Sequence, residues 1–288
     1  MNDALVRMRL MILVVLCVGV VIVWILLGAD GARADQYLQV HFLDVGQGDA
    51  ILIQTPDGVE VLIDGGPNGS VLRALAQEMS FFDREIDMVI GTHPDSDHIG
   101  GLIDVLERYD VETILTTENK GSSNTASLYK KLVGKEGAEV VIARQGQVFQ
   151  LGESVLLTVL FPVNDASNME SNTSSIIVQL VYGETEVLLT GDSPKNIEEY
   201  LVQEGIDVES DVLKAGHHGS RTSTSELFLD AVNPQFAVIS AEKDNRYGHP
   251  HVEVTDMLFN HRVETYSTAE EGTVSFESDG VTVWMKVD

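Results

Sequence analysis

Residues 93–101 read HPDSDHIGG and follow the apolar run IDMVIG at 86–91. His93, Asp95, Asp97 and His98 therefore crowd into six positions at the end of a segment that reads as a short buried strand. A solvated turn uses Asp and Ser but has no need of two histidines at these offsets. Imidazole and carboxylate are the ligand types for zinc, manganese or iron. Side chains alternate along extended chain, so His93 and Asp95 are predicted to share one side. Asp97 and His98 are adjacent and point apart. They serve a neighbouring centre only if the chain turns, which HIGG at 98–101 permits. The stretch reads as a two-metal arrangement.

Four more polar clusters follow apolar runs: DVGQGD at 44–49, TGD at 190–192, KAGHHGS at 214–220 and YGHPH at 247–251. Loops at strand ends on a rigid scaffold are where sites are built. The intervening pattern alternates between strands and helices. YLQVHFLDV, AILIQT, VEVLID, TILTT and AEVVIA read as strands. PDG at 56–58 is a hairpin signal. SVLRALAQEM and SPKNIEEYLVQEG read as serine-capped helices. The middle turns to antiparallel strands, and a hairpin around DG at 279–280 closes the chain. This predicts an α/β (α+β) domain over residues 35–288, with two mixed sheets packed face to face and helices outside.

The 288-residue chain carries a formal net charge of -27. That argues against non-specific nucleic-acid binding by a broad basic surface, and no aromatic–basic interleaving is visible. Bound cations can still supply local positive charge. The single cysteine, Cys17, excludes a disulfide framework and a cysteine metal site.

Residues 1–34 read as a membrane anchor or signal segment. Arg7 and Arg9 precede an apolar run from Leu10 to Leu27. As a helix it is about 27 Å long, against a hydrocarbon core of about 30 Å. The preceding charge predicts a cytoplasmic N-terminus and a catalytic part outside the cytoplasm. The protein would then be a single-pass membrane protein. ARA at 32–34 also fits cleavage after Ala34, which would make it secreted.

The combined motifs resemble a known family. THPDSDHIGG is similar to the metal-binding signature of the metallo-β-lactamase fold. HFLDVGQGDAILI, VLIDGG, VLLTGD, LKAGHHGS and YGHPH together resemble the metallo-hydrolase domain of ComEC-type DNA-uptake proteins, over residues 38–288. The long channel-forming region of those proteins has no counterpart in this sequence. The expectation is a stand-alone domain, and a role in DNA import does not transfer automatically.

The resemblance implies an αββα sandwich binding one or two divalent ions, zinc or manganese. By motif match, His93 and Asp95 would serve the first ion, Asp97 and His98 the second, and Asp192 would bridge them. His217, and His249 or His251, are candidate further ligands. Two departures stand out: Asp95 replaces the fold's usual histidine, and the usual mid-chain histidine is replaced by Asn172, Thr173 or Ser174. More oxygen donors would let manganese compete with zinc.

The implied reaction is phosphodiester hydrolysis, DNA among the substrates, by a hydroxide held between the ions. Asp97, His217 and His218 are the expected catalytic residues, a histidine giving the leaving oxygen its proton. Lys214 and Arg221 would hold phosphate. Asp44, Gln47, Asp49 and Asp64 would shape the site, with Ser220 and Tyr247 completing its lining. The competing readings are hydrolysis of another ester or a lactam, and a non-catalytic metal-binding accessory protein. Protein partners are not indicated.

Overall fold

The computed structural model describes residues 7–21, 37–80 and 82–286. One sheet of eight strands runs β15 (Val283–Met285), β14 (Val274–Ser278), β1 (Leu38–Phe42), β2 (Ile51–Gln54), β3 (Glu60–Ile63), β4 (Glu85–Gly91), β5 (Asp110–Thr116) and β6 (Glu139–Ile142). A second sheet of seven runs β13 (Glu264–Ser267), β12 (Phe236–Ile239), β11 (Val212–Lys214), β10 (Thr185–Leu189), β9 (Ile177–Tyr182), β8 (Val155–Phe161) and β7 (Val148–Leu151). Each sheet mixes parallel and antiparallel pairs.

Period-two alternation sorts each strand between two apolar layers. Ile51, Ile53, Val61 and Ile63 face the other sheet, where they meet residues such as Leu157, Val159, Val178 and Leu180. Leu52 and Leu62 face outward, under α2 (Ser70–Glu78), α3 (Ser96–Leu106) and α4 (Asn124–Glu136). On the far side α5 (Lys195–Gln203), α6 (Glu226–Val232) and α7 (Val252–Asn260) cover Leu188, Leu213 and Ala237. Burial on both faces is why these strands read as continuous apolar runs rather than alternating ones. The order helix, sheet, sheet, helix is the predicted αββα sandwich.

Two predicted serine caps are absent. Ser70 lies inside α2, whose N-cap is Gly69, and α5 starts after Pro194 rather than Ser193. Neither helix has a side-chain cap. Ser123 and Ser225 do cap α4 and α6, accepting from Ala126 N–H and Phe228 N–H.

HIGG also acts differently from the expected turn. Helix α3 begins at Ser96 and runs straight through Gly100 and Gly101. A Cβ on Gly101 would lie 1.9 Å from the Gly65 carbonyl oxygen, and one on Gly100 2.3 Å from that of Pro67. The glycines let the helix touch the β3–α2 loop backbone.

Residues 7–21 lie in the first helix of the chain, α1, and are exposed. Among the described residues no helix is long and apolar enough to cross a membrane. The rest of the predicted span, 22–27, and the ARA site lie outside the described residues.

Candidate metal centre

The site lies where the carboxyl ends of several strands from both sheets meet. Asp64 follows β3, His93 follows β4, Asp192 follows β10, and the His217–His218 turn follows β11. The first turn of α3 carries Asp97 and His98 back toward His93, whose ring centroid is 4.1 Å from that of His98. Donor atoms of His93, His98 and Asp192 lie within 4.8 Å of one another, as do those of Asp97, His98 and His218.

Tautomers follow from hydrogen bonding. Asp64 accepts from Thr92 N–H (2.9 Å), Thr92 O–H (2.7 Å) and His98 Nδ1–H (2.7 Å). With its proton committed to Asp64, Thr92 Oγ1 is left to accept from His93 Nδ1–H at 3.0 Å. His218 Nδ1–H donates to the Ser240 carbonyl at 2.9 Å. All three rings therefore present Nε2 inward. Nε2 of His93, His98 and His218, with Oδ1 of Asp192, are buried and have no hydrogen-bond partner among the described residues. Unpaired buried polar atoms are costly. A cluster of them with nitrogen and oxygen lone pairs, each ring steadied from behind, is the donor set a divalent ion requires.

The structure brings His93 together with His98 and Asp192, and Asp95 stands beside them. Asp95 is the N-cap of α3, and its Oδ1 accepts from Ser171 O–H at 2.5 Å. Its Oδ2 approaches His93 Nε2 to 3.8 Å, as the expected pairing of these two residues requires. Asp192 faces both groups, with Oδ1 3.3 Å from His98 Nε2 and Oδ2 3.5 Å from His218 Nε2. His217 and His249 stand beside the donor groups. His217 Nε2 is 3.6 Å from Asp192 Oδ2, and the His249 ring lies 5.5 Å from that of His217.

Lys214, expected to hold phosphate, is instead a fully buried cation. Its Nζ lies 2.5 Å from Asp49 Oδ2, 3.1 Å from the Gly191 carbonyl and 3.7 Å from Asp192 Oδ1. Arg221 is exposed, and its backbone N–H donates to His251 Nδ1. Asp44 is exposed as well; its carboxylate receives Gly46 N–H and shapes the loop from outside. Gln47 Oε1 accepts from Glu242 N–H. Ser220 Oγ pairs with Thr222 Oγ1 at 2.9 Å. Asn172 Nδ2 is 3.4 Å from the His217 ring nitrogens. Tyr247 is exposed and stacks on His249 at 5.7 Å.

Electrostatics follow from these neighbours. Burial works against ionising Asp49, yet Lys214 and His218 hold its carboxyl below the usual range. The same holds for Asp192, through His218 and His98. Asp97, opposed by burial but drawn by His218 and His98, falls to about 2. Burial disfavours charge on His218, but Asp192, Asp49 and Asp97 push it up to about 9; His98 also rises well above its ordinary value. Burial drives His93 down to about 4. The surrounding carboxylates thus raise the proton affinity of His98 and His218, two of the rings whose Nε2 atoms face the donor cluster.

Three contributors escaped the sequence reading. Thr92 adjoins the motif and could have been suspected. The Ser240 carbonyl carries no side-chain signal. Glu198 on α5 is fully buried, accepts Thr224 N–H (2.8 Å) and Ser225 N–H (2.9 Å), and so anchors the end of the histidine turn. That turn is conformationally demanding: His217 and His218 have φ of 49° and 57°.

A family model described as the metallo-beta-lactamase superfamily matches residues 43–242. The chain belongs to that superfamily, and its fold and donor cluster are those of a metal-dependent hydrolase. Within it, the chain is similar to ComEC-type competence proteins. It is 30% identical over 256 residues to ComE operon protein 3 of Bacillus subtilis, covering 83% of this chain and 33% of that protein. It is 32% identical over 244 residues to Recombination protein 2 of Haemophilus influenzae, covering 82% and 28%. The chain thus spans about a third of the length of these curated relatives. Among solved structures, the metallo-beta-lactamase fold protein YhfI from Bacillus subtilis superposes with TM-score 0.54 at 13% identity, over 85% of this chain and 99% of that one. CmlA, a diiron beta-hydroxylase from Streptomyces venezuelae, superposes with TM-score 0.52 at 18% identity, over 79% and 51%. At these identities the likeness is one of fold.

Proposed function

We propose that the protein is a metal-dependent phosphodiesterase, DNA among its substrates, held outside the cytoplasm by its N-terminal apolar segment. The observation that carries this reading is the convergence of unpartnered buried Nε2 atoms of His93, His98 and His218 on Asp192. His93, His98 and Asp192 would hold one ion; Asp97 and His218, with the other oxygen of Asp192, a second. Divalent ions at such a site supply Lewis acidity and lower the pKa of water from 15.7 to about 7. The carboxylate donors of Asp97 and Asp192 favour manganese as a competitor of zinc.

The remaining work belongs to side chains. Lys214 offsets the buried negative charge of Asp49 and Asp192, so the site does not repel a phosphate as strongly as its carboxylates alone would. Burial keeps His217 neutral, with its pKa lowered. It is part-exposed, with Nδ1 3.1 Å from Thr222 Oγ1, and as a neutral imidazole it can take up a proton from the attacking water. His218 is better assigned as a ligand than as a proton carrier, since its Nδ1–H donates to the Ser240 carbonyl and its Nε2 faces Asp97 and Asp192.

The names of the relatives, which speak of competence and recombination, support a DNA substrate. The exposed apolar side chains of the N-terminal helix, Leu10, Met11 and Leu13 among them, support a membrane tether. The test is a panel of single-stranded DNA, a small phosphodiester and a β-lactam, each with manganese, zinc or chelator. Diester cleavage lost in Asp97→Ala and His98→Ala is the expected result. Cleavage surviving both, or silence on every diester with metal bound, overturns the proposal.

A further inference from the structure

Lys214 is fully buried against Asp49 and Asp192, so the ammonium inside the site does not reach a bound substrate. A phosphate held at the centre calls for an exposed cation at its mouth. The loop between β12 and α7 supplies one. That loop meets the metal centre twice: the Ser240 carbonyl accepts from His218 Nδ1–H, and the His249 ring lies 5.5 Å from that of His217.

Asn245 fixes the shape of the loop. Its Oδ1 accepts from Tyr247 N–H (3.1 Å) and His249 N–H (3.0 Å). Its Nδ2 donates to the carbonyls of Glu242 (2.9 Å) and His249 (2.6 Å). The Tyr247 ring thereby lies nearly parallel to that of His249, with 21° between their planes. Arg246 ends the row. Its Nη2–H donates to Tyr247 Oη at 2.6 Å, and its Cζ stands 4.8 Å from the centre of the Tyr247 ring.

The guanidinium is held but not neutralised. It is exposed, and its hydrogen-bond partner among the described residues is a phenol rather than a carboxylate. Glu242 and Asp244 share the loop, and neither pairs with it. Tyr247, and after it Asp97 of the donor cluster, raise its pKa, so the charge lies within electrostatic reach of the cluster. Arg221, on the neighbouring turn, differs: its hydrogen bond among the described residues comes from its backbone N–H, and nothing steadies its side chain.

We propose that Arg246, steadied by Tyr247, is the residue that grips the substrate's phosphate at the mouth of the metal centre. Tyr247 uses one of the five guanidinium donors, and the planar fork that remains suits two oxygens of one phosphate. A fork already held in place loses less freedom on binding. The inference rests on the phosphodiesterase reading and adds to it the residue that recognises the anion.

The test is calorimetric titration of inorganic phosphate into the full chain in detergent, loaded with manganese. Arg246→Gln is expected to weaken phosphate binding by about tenfold, through loss of a charged hydrogen bond. Manganese affinity, from competition with a chromogenic chelator, should stay at the wild-type value. Tyr247→Leu is expected to weaken phosphate about threefold in the wild-type background and not at all beside Arg246→Gln. Equal phosphate affinity in wild type and Arg246→Gln overturns the proposal, as does a wild type that binds no phosphate. A parallel fall in manganese affinity overturns it too, by making the role structural. A Tyr247→Leu effect of equal size in both backgrounds overturns the pairing of the two residues. Hydrolysis of a small diester by the wild-type protein is measured alongside. Failure there with Arg246-dependent phosphate binding intact sinks the phosphodiesterase reading alone.

Discussion

Lys214 Nζ lies 2.5 Å from Oδ2 of Asp49, and both side chains are buried beneath the metal-ligand cluster. The ammonium also faces Asp192 Oδ1 at 3.7 Å. It is therefore the fixed positive charge of the site. Removing one partner of a buried pair leaves the other uncompensated. Lys214→Met is expected to destabilise the metal-free protein by about 3–5 kcal/mol, measured by denaturant unfolding. Metal should restore part of the loss, because the ions bring charge to the same carboxylates. An unfolding midpoint unchanged from wild type would count against this role.

Asp64 touches no ion in the proposed arrangement but orients His98 and, through Thr92, His93. Asp64→Ala is expected to weaken metal affinity by about 10- to 100-fold. Competition against a chromogenic chelator measures it. Wild-type affinity would show that the rings need no support from behind.

The protons on His98 and His218 set a pH dependence. In the metal-free protein His218 titrates near 9, against an ordinary value of 6.5, and His98 is raised as well. Raised histidines contribute stability that is fully present below pH 6.5 and lost as pH rises through their folded values. The chelated protein should therefore lose stability from about pH 6.5 to about 9. Metal must displace both protons, so its affinity should rise with pH over the same window. The gap in Tm between loaded and chelated protein should widen accordingly. A gap that narrows with pH would contradict the assignment.

Gly101 tests the packing that aims the motif. Any side chain there meets the Gly65 carbonyl, so Gly101→Ala is expected to cost about 1–3 kcal/mol in unfolding free energy. Metal affinity should fall with it, since α3 carries Asp97 and His98. Gly134→Ala, in open space on α4, is the control and should stabilise slightly through helix propensity.

The sequence by itself determined the sandwich and the cast of the site. Apolar runs such as those of β2 and β3 are long enough to be buried on both faces, and that requirement leaves few architectures. Histidines and carboxylates concentrated at strand ends mark a metal centre, because nothing else rewards burying them together. Only the tertiary structure decided who faces whom. That His98 turns back to lie beside His93 depends on where α3 starts, which local pattern leaves open by a residue or two. Lys214 and Arg221 flank the same turn and read alike, yet one is buried under the site and the other is in solvent. Which of the two is buried is set by packing between segments distant in sequence: the Lys214 ammonium meets Asp49 and Asp192, which come from two other strand-end loops.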